Sequence, residues 1–319
     1  MTRHLVDPEL LPLLDLMPGI DFAQVDLPEL RQASNARYAF LGNPPLTPRI
    51  ETIVGPGGPL ELFIYDPAPG TGNRAALLHI HGGGMIMGSA RAMQLGPANM
   101  ARSLGIPVVS VEYRLAPEHP FPAPQEDCYA ALCWLAGQAD ELGIDRQRIG
   151  VTGESAGGGL AAAVALIARD RKGPHLAGQF LTYPMLDHRT GGPDCPYANP
   201  VTGEFVWTAA ANQFGWAALR GDYRADDARR GWYSPALAED LAGLPPTWIG
   251  TGSLDLFLDE DLAYARRLIA AGVPVELHVY PGAIHAFNAV AESRLAKAFG
   301  RDLMSAIALG LGATNAAQP

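Results

Sequence analysis

RIGVTGESAGGGLAAAVALIARDR, residues 148–171, reads as a strand, a sharp turn and a helix in one uninterrupted stretch. Arg148–Thr152 is a short β-rich run, and Ala156–Arg171 carries small residues all round, as a helix packed closely on a sheet requires. Between them stands Gly153-Glu154-Ser155-Ala156-Gly157, a G-x-S-x-G in the strand–turn–helix context that gives this pattern its meaning. The glycines, two residues to either side of the serine, leave room where a turn this tight admits no Cβ atoms. Ser155 is thereby lifted to the top of the sheet, with a helix N-terminus behind it that favours developing negative charge.

Outward from this turn the same alternation continues, which predicts an α/β fold with a mostly parallel eight-stranded sheet flanked by helices. The β-rich runs are Ile50–Val54, Glu61–Tyr65, Ala75–Ile80, Pro107–Tyr113, Arg148–Thr152, Gly178–Tyr183, Pro246–Thr251 and Val275–Tyr280, the first two close enough to form a hairpin. Helices are expected near Gln125–Gln138, Ala156–Arg171, Asp259–Ala271 and Glu292–Leu309. Two segments break the rhythm. Residues 1–48 are rich in Leu and Pro, and residues 187–244 separate two strands by far more than an ordinary connection. The second contains Phe205, Trp207, Phe214, Trp216, Trp232 and Tyr233, too many aromatics for a loose loop. The expected organisation is a core of residues 49–186 and 245–312 under a helical cap built from 1–48 and 187–244, with 313–319 a disordered tail.

A bare G-x-S-x-G would arise by chance in about one chain in ten of this composition, so a second motif is needed. His81-Gly82-Gly83-Gly84 follows the run Ala75–Ile80, where a hydrolase sheet carries the loop whose backbone N–H groups meet an oxyanion. A nucleophilic serine then needs an acid and a histidine, in that order along the chain. His285 lies four residues beyond Pro281, in the loop after the last strand. His278 falls inside that strand, and the remaining histidines precede any candidate acid. Asp255 follows the run Pro246–Thr251 and is the expected acid, with Asp259 in reserve. Asp259, Glu260 and Asp261 open a helix, where acidic residues are explained by the helix dipole.

Together these motifs make the chain resemble the bacterial hormone-sensitive-lipase-like (family IV) esterases, a branch of the α/β-hydrolases. The resemblance covers nearly the whole chain. It rests on HGGG at 81–84, YRLAPEHPFPAP at 113–124, GESAGG at 153–158, YP at 183–184, LDLFLDE at 254–260 and HAF at 285–287. It implies Ser155, Asp255 and His285 as a catalytic triad. It also implies an oxyanion hole of the Gly83, Gly84 and Ala156 N–H groups, with Gly82 in the same turn, and a cap of the kind outlined above. Three departures stand out: Glu154 where the family has Asp or Thr, Leu256-Phe257-Leu258 where it has Pro-Leu-Arg, and Ala286 where it has Gly. The expected activity is hydrolysis of short- to medium-chain acyl esters through an acyl-enzyme, with no cofactor and no metal. Amide, lactam or N-acetyl hydrolysis by the same triad is the alternative, and a catalytically dead ligand-binding module the distant one.

Composition narrows the field. The 319 residues are 48% apolar and only 18% charged, which rules out a disordered chain. A formal net charge of -10 argues against nucleic acid or anionic lipid as a partner, leaving a small-molecule ester as the expected ligand and a homodimer open. Lys172 and Lys297 are the only lysines, and neither sits where Schiff-base chemistry would place one. Cys128, Cys133 and Cys195 have no metal-binding spacing. Asp7, Glu9 and two prolines interrupt any leader-like apolar core near the start, so a soluble, cytoplasmic protein is expected. Gly157-Gly158-Gly159-Leu160-Ala161-Ala162 loosely fits a dinucleotide fingerprint, but it begins inside the helix rather than in the turn.

Overall fold

In the computed structural model, which describes residues 2–17, 20, 22, 24–39, 43–70 and 72–313, the β-rich runs join in one eight-stranded sheet. The strands are β1 (Arg49–Gly55), β2 (Gly58–Tyr65), β3 (Arg74–Ile80), β4 (Val108–Val111), β5 (Ile144–Glu154), β6 (Gly178–Thr182), β7 (Thr247–Gly252) and β8 (Val275–Tyr280). Their order in the sheet is β1-β2-β4-β3-β5-β6-β7-β8. The sheet is mixed: β2 runs antiparallel to both β1 and β4, and the neighbours from β4 to β8 are parallel. The reason is local. Pro56-Gly57 is the whole connection between β1 and β2, and a two-residue link can only close a hairpin.

Alternation along the strands divides the interior into two cores. Leu62 and Ile64 of β2 and Ala76, Leu78 and Ile80 of β3 face one side, while Phe63, Tyr65, Ala75 and Leu77 face the other. The helices are α1 (Leu11–Leu16), α2 (Leu27–Ala39), α3 (Leu95–Leu104), α4 (Ala123–Gly137), α5 (Ala139–Leu142), α6 (Ala156–Asp170), α7 (Ala209–Arg220), α8 (Arg230–Tyr233), α9 (Leu258–Ala270) and α10 (Arg294–Leu311). Helices α4, α6 and α9 cover the first face, and α3 and α10 the second. None is long and apolar enough to cross a membrane among the described residues.

Helix α3 is absent from the sequence reading because Gly96 and Pro97 look like a loop. Proline is nevertheless tolerated in a first helical turn, where its missing N–H would have had no partner. The sheet-bearing elements lie within 49–186 and 245–312. The N-terminal residues are fastened to them: Asp7 N donates to Gly282 O at 3.0 Å, and Val6, Leu10 and Leu13 are buried in the second core. Phe22 packs on Trp207 and Phe214 of the long insertion, with ring centroids 6.0 and 5.0 Å away. Helix α10 ends on Gly312 in a left-handed cap, and residues 314–319 of the expected tail lie outside the described residues.

Candidate active site

Strand β5 ends at Glu154 and α6 begins at Ala156, leaving Ser155 alone at the turn with φ 58° and ψ −120°. A non-glycine residue adopts this backbone only where its surroundings enforce it. Ser155 N donates to Thr182 O at 2.9 Å, and Ser155 O accepts from Met185 N and Gly159 N, each at 3.0 Å. The flanking glycines are obligatory. A Cβ on Gly153 would lie 2.3 Å from Gly157 O, and one on Gly157 only 2.0 Å from Ile80 O.

The loops after β7 and β8 bring the expected partners to this serine. His285 Nε2 lies 3.0 Å from Ser155 Oγ, and His285 Nδ1 lies 2.8 Å from Asp255 Oδ2. Asp255 is fully buried, and its Oδ1 accepts from Phe257 N at 3.0 Å, so the carboxylate cannot swing away from the imidazole. The ring of His285 is walled by Tyr183 (centroids 4.7 Å apart) and by the edge-on Phe257 (5.3 Å), with Trp207 at 6.4 Å. Asp259, the reserve acid, is not part of this chain of contacts; it sits half-buried in the first turn of α9.

Opposite the serine, the loop after β3 folds back on itself. Gly83 and Gly84 have φ 119° and 61°, and Gly83 O accepts from both Ile86 N (3.1 Å) and Met87 N (3.0 Å). Gly82 packs against Glu154 O, 2.8 Å from where a Cβ would stand, so the loop lies directly on the turn that carries Ser155. The Trp207 ring covers Gly84, 2.3 Å from its missing Cβ. The loop rests on a buried stack: His81 lies on Tyr113 with centroids 4.2 Å apart, and Tyr113 Oη donates to His81 O at 3.0 Å. Burial pushes the His81 imidazole down to about 4, which keeps it neutral. Tyr113 opens the YRLAPEHPFPAP block, which therefore serves as a brace under the loop.

Two buried arrangements were not anticipated from the sequence. His79 Nδ1 is 2.9 Å from Ser110 Oγ, and its Nε2 is 3.3 Å from Glu154 Oε1. Ser110 and His79 are buried while Glu154 is partly exposed, so this second Ser–His–acid set braces Glu154 from inside the sheet. Glu260 and Asp261, read as helix-end charges, are both fully buried. Glu260 Oε1 accepts from Leu186 N (2.6 Å) and Asp187 N (3.2 Å), and Thr190 Oγ1 bonds its other oxygen. Burial raises both carboxyls well above the usual range. Glu260 thus ties α9, just beyond Asp255, to the root of the 187–244 insertion. Its place at the end of LDLFLDE was the available signal, masked by the acidic run around it.

A family model described as alpha/beta hydrolase fold matches residues 77–289. The carboxylesterase NlhH of Mycobacterium tuberculosis is 36% identical over 328 residues, covering 95% of this chain and 96% of the relative. Esterase LipI of the same organism is 35% identical over 289 residues, covering 88% of each chain. Among solved structures, one described as a bacterial heroin esterase superposes with a TM-score of 0.89 at 38% identity, covering 98% of this chain and 99% of the other.

Proposed function

The chain belongs to the hormone-sensitive-lipase-like esterases of the α/β-hydrolase fold and is a carboxylic ester hydrolase; from that premise we propose that it works through Ser155, His285 and Asp255 by way of an acyl-enzyme. The observation that carries the proposal is the unbroken relay from Ser155 Oγ through His285 to Asp255, facing the Gly82–Gly84 turn.

His285 Nε2 takes the proton of Ser155 as Oγ attacks the ester carbonyl. Asp255 fixes the tautomer with hydrogen on Nδ1 and stabilises the imidazolium. The carbonyl oxygen becomes an oxyanion facing the N–H groups of Gly83, Gly84 and Ala156. Each such donor typically lowers the barrier by about 2.7–4 kcal/mol. Collapse expels the alcohol, protonated by His285. A water that gives its proton to the same nitrogen then attacks the acyl-enzyme, releasing the acid and restoring the serine. Every proton moves between Ser155, His285, substrate and water, so the cycle closes without a cofactor.

We read the described residues of the 1–48 segment, together with 187–244, as a cap over the site whose rings favour compact acyl groups of about two to eight carbons. Phe22, Trp207 and Phe214 support that reading by closing over the Gly84 side. The test is a chromogenic ester series from acetate upward, with a matched anilide and a stoichiometric organophosphate. Label on Ser155 alone, with turnover abolished in Ser155→Ala, is the expected result. Labelling of Ser110, or faster hydrolysis of emulsified long-chain triglyceride than of soluble butyrate, would count against it.

A further inference from the structure

Helix α2 carries a basic side chain that the proposed chemistry leaves unused. Arg31 Nε donates to Ile86 O at 2.7 Å, and one terminal nitrogen donates to Ala116 O at 2.8 Å. That nitrogen and the other terminal nitrogen together grip both carboxylate oxygens of Glu118, at 2.7 and 2.8 Å. The two carbonyls belong to neighbouring walls of one structure. Ile86 N closes the turn on Gly83 O, and Ala116 N donates to Met85 O at 3.0 Å. One planar guanidinium therefore spans the return limb of the glycine turn and the segment lying against it, geometry that a lysine ammonium cannot reproduce.

We propose that Arg31 is a positioning residue for turnover: by clamping the Ile86 and Ala116 carbonyls it fixes the turn that presents the Gly83 and Gly84 N–H groups. The N-terminal segment then acts on the rate of the chemical step as well as on substrate size. A half-exposed ion pair with Glu118 alone would contribute about 0–1 kcal/mol and would leave the two carbonyl bonds unexplained. Oxyanion donors must be held in place before the reaction for their effect to be realised, so a loosened turn lowers kcat. The proposal rests on the serine-esterase reading above.

The test compares wild type, Arg31→Ala, Arg31→Lys, Glu118→Gln and Ser155→Ala on soluble esters of two to eight carbons. Rates are normalised to organophosphate-titrated sites where Ser155 is present, and melting temperatures are measured alongside. Arg31→Ala should lower kcat about ten- to a hundredfold, evenly along the series, with KM changed by less than about threefold. Arg31→Lys should fall between, and it carries the comparison should the alanine variant fail to fold. Glu118→Gln should keep kcat within about twofold, because both carbonyl bonds remain. Unchanged kcat with a lowered melting temperature in the Arg31 variants would show a mere structural brace and overturn the proposal. A shifted chain-length preference at undiminished best-substrate kcat, or equal losses in Arg31→Ala and Glu118→Gln, would overturn it too. Full turnover in Ser155→Ala would overturn the serine reading and this proposal together; loss there beside a normal Arg31→Ala would sink this proposal only.

Discussion

Asp255 and Asp259 stand four residues apart, and the structure gives them different surroundings. Asp255 is fully buried and bonded through one oxygen to His285 and through the other to Phe257 N. Asp255→Asn should leave the protein folded while turnover falls by about 10⁴, because an amide cannot hold the productive tautomer or stabilise imidazolium. Asp259→Asn should retain near-normal turnover and lose only a little stability at the start of α9. Turnover and melting curves of the two variants decide the matter, and normal rates in Asp255→Asn would assign the wrong carboxylate. Gly83 is a second residue-level test. Its φ of 119° and the 2.1 Å from its missing Cβ to Met87 O leave no room for alanine. Gly83→Ala should therefore cost about a hundredfold or more in kcat by turning one donor away, while organophosphate still titrates the serine.

At the scale of elements, what the sequence made legible follows from how local its causes are. The strands are visible because each is a short β-rich run, and Ser155 is visible because its turn admits glycine alone at positions 153 and 157, two residues to either side. Helix α3 is hidden because Gly96 and Pro97 imitate a loop, and the early start of β5 at Ile144 is hidden because Asp145, Arg146 and Gln147 carry no apolar signal. The role of Arg31 is hidden more deeply, since its carbonyl partners lie 55 and 85 residues away and a carbonyl leaves no mark in a sequence. The aromatic insertion was legible as ordered, whereas which ring meets the site was not. Trp207 covers Gly84, and its indole Nε1 donates to Asn212 Oδ1 at 3.2 Å, which holds it there. Trp207→Ala should empty that space and move the preferred ester towards longer acyl chains, read as the ratio of kcat/KM for octanoate and acetate esters. An unchanged ratio would remove Trp207 from the substrate wall.

Over the whole molecule, the formal charge of -10 counts carboxyls that the fold does not leave as ordinary acids. Glu260 is buried beside Asp187, itself paired with Arg189 at 2.7 Å, and Asp261 is buried next to Glu260. Desolvation raises both Glu260 and Asp261 well above the range of an exposed acid, so as pH rises the folded protein gives up these protons later than the unfolded chain does. The linkage has a definite sign. A carboxyl raised on folding contributes its full share below the unfolded pKa, and stability declines as pH climbs from that value towards the folded one. The share of stability that Glu260 and Asp261 contribute should therefore decline from about pH 5 upward, over a range where exposed carboxylates are already ionised, while the buried neutral His81 works in the opposite sense below about pH 6.5. Glutamine at 260 has the shape of the protonated acid: its carbonyl can accept from Leu186 N and Asp187 N, and its amide can donate to Thr190 Oγ1. Glu260→Gln should thus match or exceed wild type at pH 8 and flatten the decline in melting temperature between pH 6 and 9. Glu260→Ala should instead cost about 2–4 kcal/mol near pH 5, since it strands two buried N–H groups at the root of the insertion, with the deficit against wild type narrowing as pH rises. Melting curves of the three proteins across that interval separate the effects. A Glu260→Gln variant that loses stability in step with Glu260→Ala at pH 8 would mean that the buried carboxylate is ionised and sustained by its three donors.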